Sequence, residues 1–178
     1  MRNAEIDQRP ALAGTKTLVI GWGNDLLRDD GAGRRVARQI AARHPAEIDV
    51  LDVHQLTPEL ALPLSQFGRA IFVDAYAARE GDTVRTRKVD AARLPDRPAI
   101  GHTGRPDDLL RMAALLYGAH PEAWLVAVPA CAFEPGDALS RTARAGIRSA
   151  IVEVERLARS RGRAEDQTQE KGEEYDAS

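Results

Sequence analysis

The chain has 178 residues, of which 43% are hydrophobic, and a formal net charge of −2. This length allows one buried hydrophobic core, and the near-neutral charge gives no indication of a nucleic-acid partner. No apolar run is long enough to span a bilayer, and the N-terminus lacks the apolar core of a secretory signal, so we expect a cytoplasmic protein without a membrane partner. The single cysteine, Cys131, excludes an internal disulfide framework, and we expect it to be a small buried hydrophobe.

The composition predicts one domain with a segment on either side. We expect a flexible N-terminus over residues 1–14, a single α/β domain over residues 15–160 and a charged, disordered tail over residues 161–178. The prediction for the tail rests on charge, because residues 165–178 contain six acidic residues and one lysine. The chain contains no internal repeat.

The first half of the chain alternates predicted strands and helices. The apolar run Leu18–Ile20 predicts a buried strand, and a helical pattern follows from Asp29 until Pro45. Ile48–Val53 alternates loosely and predicts a second strand. Thr57 and Pro58 then open a helix that we expect to close at Gly68.

The second half contains three predicted strands and two helices. Ala70–Val73 and Trp124–Val128 are apolar runs typical of strands buried on both faces, whereas Thr83–Val89 alternates with Arg and Lys and suits an antiparallel edge strand. Helical patterns run from Pro106 to Gly118 and from Ser140 to Leu157. Together the elements predict an α/β three-layer sandwich, a mainly parallel twisted sheet of about five strands with helices on both faces.

The most informative motif lies at the end of the first strand, where glycines surround an acidic pair over residues 20–33. Gly21 and Gly23 allow a sharp turn, and Asp29 and Asp30 are expected in the first helical turn, where the helix dipole favours carboxylates. One interpretation is that the two aspartates only cap the helix. A dinucleotide-binding loop is disfavoured, because Leu26 stands where its third glycine should be and two acids would repel a pyrophosphate.

Ligand sites of open α/β sheets lie beyond the carboxyl ends of the strands. Four candidate residues fall there: Asp30, His54, Asp74 and, in a glycine-flanked loop, His102. Two carboxylates and an imidazole suit a borderline divalent cation such as nickel, zinc or iron. The alternatives are that Asp74 caps a turn and that His102 is an ordinary loop histidine.

Familiar hydrolytic motifs are absent from the sequence. There is no G-x-S-x-G elbow and no H-E-x-x-H helix, and a dyad of Cys131 with His102 stays open on spacing alone. The arginines of the first helix, namely Arg34, Arg35, Arg38 and Arg43, are interpreted as a solvated face.

These residues resemble the nickel-iron hydrogenase maturation proteases, which remove a C-terminal extension from the hydrogenase large subunit after nickel insertion. The resemblance covers about Thr17 to Leu157. It rests on the motif Gly21-x-Gly23-Asn24-x-Leu26-x-x-Asp29-Asp30-Gly31-x-Gly33, on Val73-Asp74-Ala75 and on the His102 loop. It implies that the chain is an endopeptidase and that the large-subunit precursor is its partner.

The resemblance also implies roles for individual residues. The nickel-sensing positions of the family correspond to Asp30, Asp74 and His102, although many members have glutamate at the first of these. Nickel would be carried by the substrate and bound transiently, with no resident cofactor. We expect Asp30 or Asp74 to handle the proton of a water molecule, as in an aspartyl-type endopeptidase.

The segment His54-Gln55-Leu56-Thr57 replaces the Asp-Gly-x-Thr of many relatives. It resembles the form found in the subgroup that serves NAD-coupled bidirectional hydrogenases, and we assign these four residues to substrate recognition. The alternative function is a nickel-dependent checkpoint protein that binds the large subunit without cleaving it.

Overall fold

The computed structural model describes residues 14–44, 46–79, 81–90, 104–119 and 121–160. Most of the predicted flexible N-terminus and the whole predicted tail, 161–178, lie outside these ranges. The first strand begins at Gly14. No helix within the described residues is both long and apolar enough to cross a membrane.

The described strands form one five-stranded sheet in the order β2-β1-β3-β5-β4. Four strand pairs hold it together; three are parallel, and β4 runs antiparallel to β5. The predicted mainly parallel sheet is therefore confirmed, including the antiparallel edge strand that carries Arg and Lys. The strands are β1 (Gly14–Gly21), β2 (Ile48–Asp52), β3 (Phe67–Ala77), β4 (Arg85–Val89) and β5 (Glu122–Ala130).

Capping residues in the sequence correctly predict the end of one helix and the start of another. The left-handed Gly118, with φ of 64°, ends α3, and the Ser140 hydroxyl accepts a 3.0 Å hydrogen bond from the Ala143 amide at the start of α4. The helices are α1 (Ala32–Arg43), α2 (Ala61–Leu64), α3 (Pro106–Tyr117) and α4 (Arg141–Arg159).

The prediction of one helix from Thr57 to Gly68 is wrong for the second half of that range. A short 3-10 turn at Pro58–Leu60 leads into α2, which ends at Leu64. Phe67 already belongs to β3, where it pairs with Gly14 of β1. An apolar residue satisfies a helix or a strand equally well, so pairing with β1 decides its conformation.

Helices cover both faces of the sheet, which confirms the three-layer architecture. Alternate residues of β1 and β3 point to opposite faces. On one face Val19, Ile71 and Val73 pack under α1 and α4, and on the other Leu18 and Phe72 pack under α2 and α3.

The strand order reverses direction at β1. The chain leaves β1 through α1 to β2 on one side, then returns to β3 on the other side of β1. The carboxyl ends of β1 and β3 therefore form a topological switch point, where open α/β sheets bind ligands.

Candidate active site

Three segments meet at the carboxyl edge of the sheet. The glycine loop (residues 22–31) follows β1, residues 53–57 follow β2, and the β5–α4 loop (residues 131–140) follows β5. The Gly23 amide donates a 3.3 Å hydrogen bond to the His54 carbonyl, and the Leu26 carbonyl accepts a 2.9 Å bond from Gly136. The glycine loop is thus bonded to both of its neighbours.

The glycines of the motif are required because the backbone is packed against itself. Gly23 has φ of 131°, and a Cβ at this position would collide with the Asp30 carbonyl. A Cβ at Gly33 would lie 2.6 Å from the Trp22 carbonyl oxygen and closer still to that of Val73. Since these contacts involve backbone atoms, a side chain cannot be accommodated by rotation.

Asp30 and Asp74 lie close enough at the switch point for the charge of Asp30 to act on Asp74. The Asn24 amide donates a 2.7 Å hydrogen bond to Oδ2 of Asp30. Burial raises the pKa of Asp74 to about 7; the Ala75 amide, 2.8 Å from Oδ1, opposes the increase, and the negative charge of Asp30 adds to it. A carboxyl with this pKa can both accept and donate a proton near neutral pH.

The structure corrects two local predictions for these acids. Asp74 lies within β3, which continues to Ala77, rather than after the strand. Asp29 and Asp30 lie in a 3-10 turn at Arg28–Gly31 ahead of α1, not in the first turn of the helix itself.

Asp29 is a structural carboxylate that the sequence did not single out from its neighbour. It is fully buried and accepts backbone hydrogen bonds from Cys131 at 2.9 Å, Ala132 at 3.0 Å and Ser140 at 2.7 Å. Burial by itself would raise the pKa of Asp29, but the bonds from Ser140, Cys131 and Ala132 outweigh it and hold the pKa below its usual range. Asp29 thereby fastens the β5–α4 loop against the glycine loop.

Arg28 also joins the glycine loop to the β5–α4 loop, and its backbone conformation is strained. Its φ of 46° is in the left-handed region, which non-glycine residues seldom adopt. Its backbone amide donates to Gly136, its Nε donates to the Ala138 carbonyl at 2.7 Å, and its guanidinium pairs with Glu134. These bonds, all to the β5–α4 loop, hold the strained residue in place.

The predicted recognition segment lies beside the glycine loop. His54 and Gln55 are exposed, and Thr57 is half-buried at the start of the Pro58–Leu60 turn. Leu56 differs from them, because its side chain is 2% exposed and packs in the core with Phe72. Contact with a partner through this segment would therefore fall to His54, Gln55 and Thr57.

His102, the third predicted metal ligand, lies outside the described residues. Within the ranges that are described, no group of three metal-binding side chains comes together. Asp30 and Asp74 are the members of the predicted trio whose positions the structure gives.

The prediction for Cys131 is wrong, since its side chain is exposed. It is the first residue after β5, and its thiol lies 3.3 Å from the Ala78 carbonyl as a hydrogen-bond donor. The preceding Ala130 occupies the buried position at the strand end.

The arginines of α1 are also more than a solvated face. Arg34 and Arg38 each pair with both Asp25 of the glycine loop and Asp52 at the end of β2, at distances of 2.5–3.1 Å. Their spacing of four residues on one helix face, with one acid in the glycine loop and one at the end of the neighbouring strand, is the sequence signal for this network. The network anchors the outer side of the glycine loop.

Solved structures with a similar fold give this site its context. The nickel-iron hydrogenase maturation protease HybD from Thermococcus kodakarensis superimposes with a TM-score of 0.63 at 22% identity, over 80% of this chain and 99% of its own. The chain has the fold of the hydrogenase maturation proteases. The hydrogenase-maturating endopeptidase HybD of E. coli gives a TM-score of 0.63 at 22% identity, over 81% of this chain and 92% of its own.

A second kind of maturation protease shares the same architecture. HycI from Thermococcus kodakarensis KOD1 superimposes with a TM-score of 0.56 at 19% identity, over 81% of this chain and 90% of its own. In sequence alone, neither a protein-family model nor a curated protein matches the chain.

Proposed function

We propose that this protein is an endopeptidase that removes the C-terminal extension of a nickel-loaded hydrogenase large-subunit precursor. The observation that carries the proposal is the raised pKa of Asp74, about 7, at the switch point of the sheet, where burial and the negative charge of Asp30 both act on it. The glycine motif and the fold shared with the maturation proteases support the same function.

Asp74 is the proposed general acid and base. In the free protein both its protonated and ionised forms are populated near neutral pH. In the complex, the carboxyl oxygen of Asp74 that does not contact nickel would accept a proton from an attacking water molecule and return it to the leaving amine. Asp30 is proposed to act electrostatically, because its negative charge helps to keep the pKa of Asp74 high. An enzyme in which one carboxyl transfers the proton and a neighbouring carboxyl raises its pKa is of the aspartyl type.

Nickel belongs to the substrate in this proposal. Asp30, Asp74 and His102 would contact the nickel ion that the precursor already holds, and would release it with the product. Two carboxylates and one imidazole bind a borderline divalent ion less well than a site built from thiolates. Such a donor set would recognise the metal without removing it from the precursor.

The proposed partner is the precursor of a cytoplasmic, NAD-coupled bidirectional hydrogenase. The resemblance of the His54-Gln55-Leu56-Thr57 segment to that subgroup supports this choice. His54, Gln55 and Thr57 stand beside the glycine loop, where a bound precursor would reach them.

The test is the intact mass of the large-subunit precursor, nickel-loaded and nickel-free, before and after incubation with the protein. We expect a C-terminal fragment to be lost from the loaded precursor only. Asp74→Asn and His102→Ala should prevent the loss, whereas Asp49→Asn, which alters an exposed carboxyl near the start of β2, should not.

Each other outcome has a defined meaning. Full activity of Asp74→Asn would eliminate the proposed proton transfer. A stable complex with the loaded precursor and no change in mass would replace the endopeptidase with a non-cleaving checkpoint protein.

A further inference from the structure

Three exposed arginines follow one another at helical spacing on α4. These residues, Arg141, Arg144 and Arg148, are called the arginine face below. None of the three has an acidic partner among the described residues, in contrast to Arg34 and Arg38 of α1, which each pair with two aspartates. Like charges three and four residues apart on a helix repel each other, so an acidic partner would stabilise the arginine face.

A cavity of about 250 Å³ opens beside the arginine face, between α4 and the segment that joins β3 to β4. Val84 and Pro129 contribute apolar lining, and Arg141 belongs to both the cavity and the arginine face. The acid in the lining, Asp82, already pairs with Arg85. Pockets for small-molecule ligands measure about 300–1,000 Å³, so this cavity suits a single large side chain better.

The C-terminal segment (residues 161–178) supplies the complementary charge and side chain. Residues 165–178 contain six acids and one lysine, a net charge of −5, whereas the rest of the chain contains 24 basic and 21 acidic residues, a net charge of +3. The aromatic residue of the segment, Tyr175, lies between Glu174 and Asp176. Tyrosine combines an apolar ring with a polar hydroxyl, which matches a cavity with apolar and polar lining.

The C-terminal segment continues from α4 and is long enough to return along this helix. Measured along the helix axis from Ser160, Arg148 lies about 18 Å away and Arg141 about 28 Å away. Residues 165–176 follow Ser160 by 5–16 positions, which an extended chain can span with about 17–55 Å. A short tether also keeps the acids at a local concentration of the order of millimolar, which favours this segment over an acidic segment of another protein.

We propose that residues 165–176 dock on the arginine face of α4, with Tyr175 in the cavity at its N-terminal end. Each exposed ion pair contributes little, so docking depends on several of them together and on burial of the aromatic ring. The docked segment would border the β5–α4 loop, because Arg141 directly follows that loop. This inference does not rest on the proposed function, and its test needs no substrate.

Cys131 provides the probe for the test. It is the single cysteine of the chain and is exposed, and its amide and that of Ser140 bond to the same Asp29 carboxylate, so it lies beside the start of α4. A nitroxide attached to Cys131 of the full-length protein weakens the NMR signals of nearby amides. We expect the signals of residues 173–176 to be lost and to return when the nitroxide is reduced, whereas those of residues 161–164, which follow the far end of α4, should remain.

Two pairs of variants examine the contacts. Arg144→Gln/Arg148→Gln, which keeps good helix formers at both positions, should restore the signals of residues 173–176 in the nitroxide form. Arg87→Gln/Lys88→Gln removes the same charge from the exposed strand β4 and should leave these signals lost. Tyr175→Ala should also restore the signals, whereas Tyr175→Phe, which keeps the ring, should not.

The opposite results would overturn the inference. Full signals of residues 173–176 in the nitroxide form of the wild type would refute docking, and loss that persists in Arg144→Gln/Arg148→Gln would refute the arginine face as the surface. Loss that persists in Tyr175→Ala would refute the position of Tyr175. Isotope-enriched protein without nitroxide, mixed with nitroxide-labelled protein of natural isotope content, gives the last control: loss of signal in this mixture would assign the contact to two copies of the chain and overturn the inference.

Discussion

At the scale of single residues, Asp74 couples stability to pH. Its pKa rises from an ordinary 3.8 to about 7 on folding, chiefly through burial. Between these values the folded protein binds more protons than the unfolded chain, so the stability that Asp74 contributes is present at low pH and lost as the pH rises toward 7.

The variant Asp74→Asn removes this dependence. We expect it to be more stable than the wild type at pH 8, by roughly 1 kcal/mol or more, with a smaller difference at pH 5. Urea unfolding at the two pH values measures the effect. A difference independent of pH would show that the Asp74 carboxyl ionises in the folded protein as it does in the unfolded chain.

At the scale of elements, Asp29 decides whether the β5–α4 loop stays fixed. Replacing it with alanine leaves the amides of Cys131, Ala132 and Ser140 without their acceptor, so we expect Asp29→Ala to lower the free energy of unfolding by at least about 2 kcal/mol. Asp137→Ala, on the same loop but exposed, is the matched control.

Hydrogen exchange separates this local effect from general destabilisation. The amides of Cys131, Ala132 and Ser140 should exchange faster in Asp29→Ala than the amides of the central strand β3, measured under the same conditions. Equal acceleration throughout the molecule would contradict a local role for Asp29.

The contrast between Asp29 and Asp30 explains what the sequence can predict at this scale. Strands and long helices follow from apolar periodicity and caps, as Ser140 and Gly118 show, and the switch point follows from the order of the elements. Two adjacent aspartates, however, differ only in what surrounds them after folding. The donors that fix Asp29 lie more than 100 residues away in sequence, so no local pattern reveals them.

Phe67 and Cys131 illustrate the same limit. Phe67 suits either a helix or a strand, and pairing with Gly14, 53 residues earlier in the chain, decides its conformation. Whether Cys131 is buried depends on the residue at which β5 ends, and strand ends are poorly specified by local sequence.

At the scale of the whole molecule, the site depends on how closely the helical layers approach the sheet. Glycines allow this approach on the α1–α4 side: Gly33 of α1 lies against the backbone of β3, and Gly146 of α4 lies against Pro129 and Val128 of β5. The β5–α4 loop, which Asp29 holds, follows directly after β5. The packing of α4 against β5 therefore affects the position of that loop.

Two opposing effects meet at Gly146. Alanine is favoured over glycine inside a helix by about 1 kcal/mol, which predicts that Gly146→Ala stabilises the protein. The added Cβ would, however, lie 2.7 Å from Cδ of Pro129 and 3.0 Å from Cγ1 of Val128. Overpacking of this kind costs about 1–3 kcal/mol, and the rigid proline ring cannot rotate away. The steric cost is therefore expected to exceed the gain in helix propensity.

We therefore expect Gly146→Ala to lower the free energy of unfolding by about 1 kcal/mol, measured by urea denaturation. Ser149→Ala, at an exposed position of the same helix, receives the helix-propensity gain without the collision and should be neutral or slightly stabilising. If Gly146→Ala gained as much stability as Ser149→Ala, α4 would have room to move away from β5, and close approach of this layer would not be what fixes the β5–α4 loop.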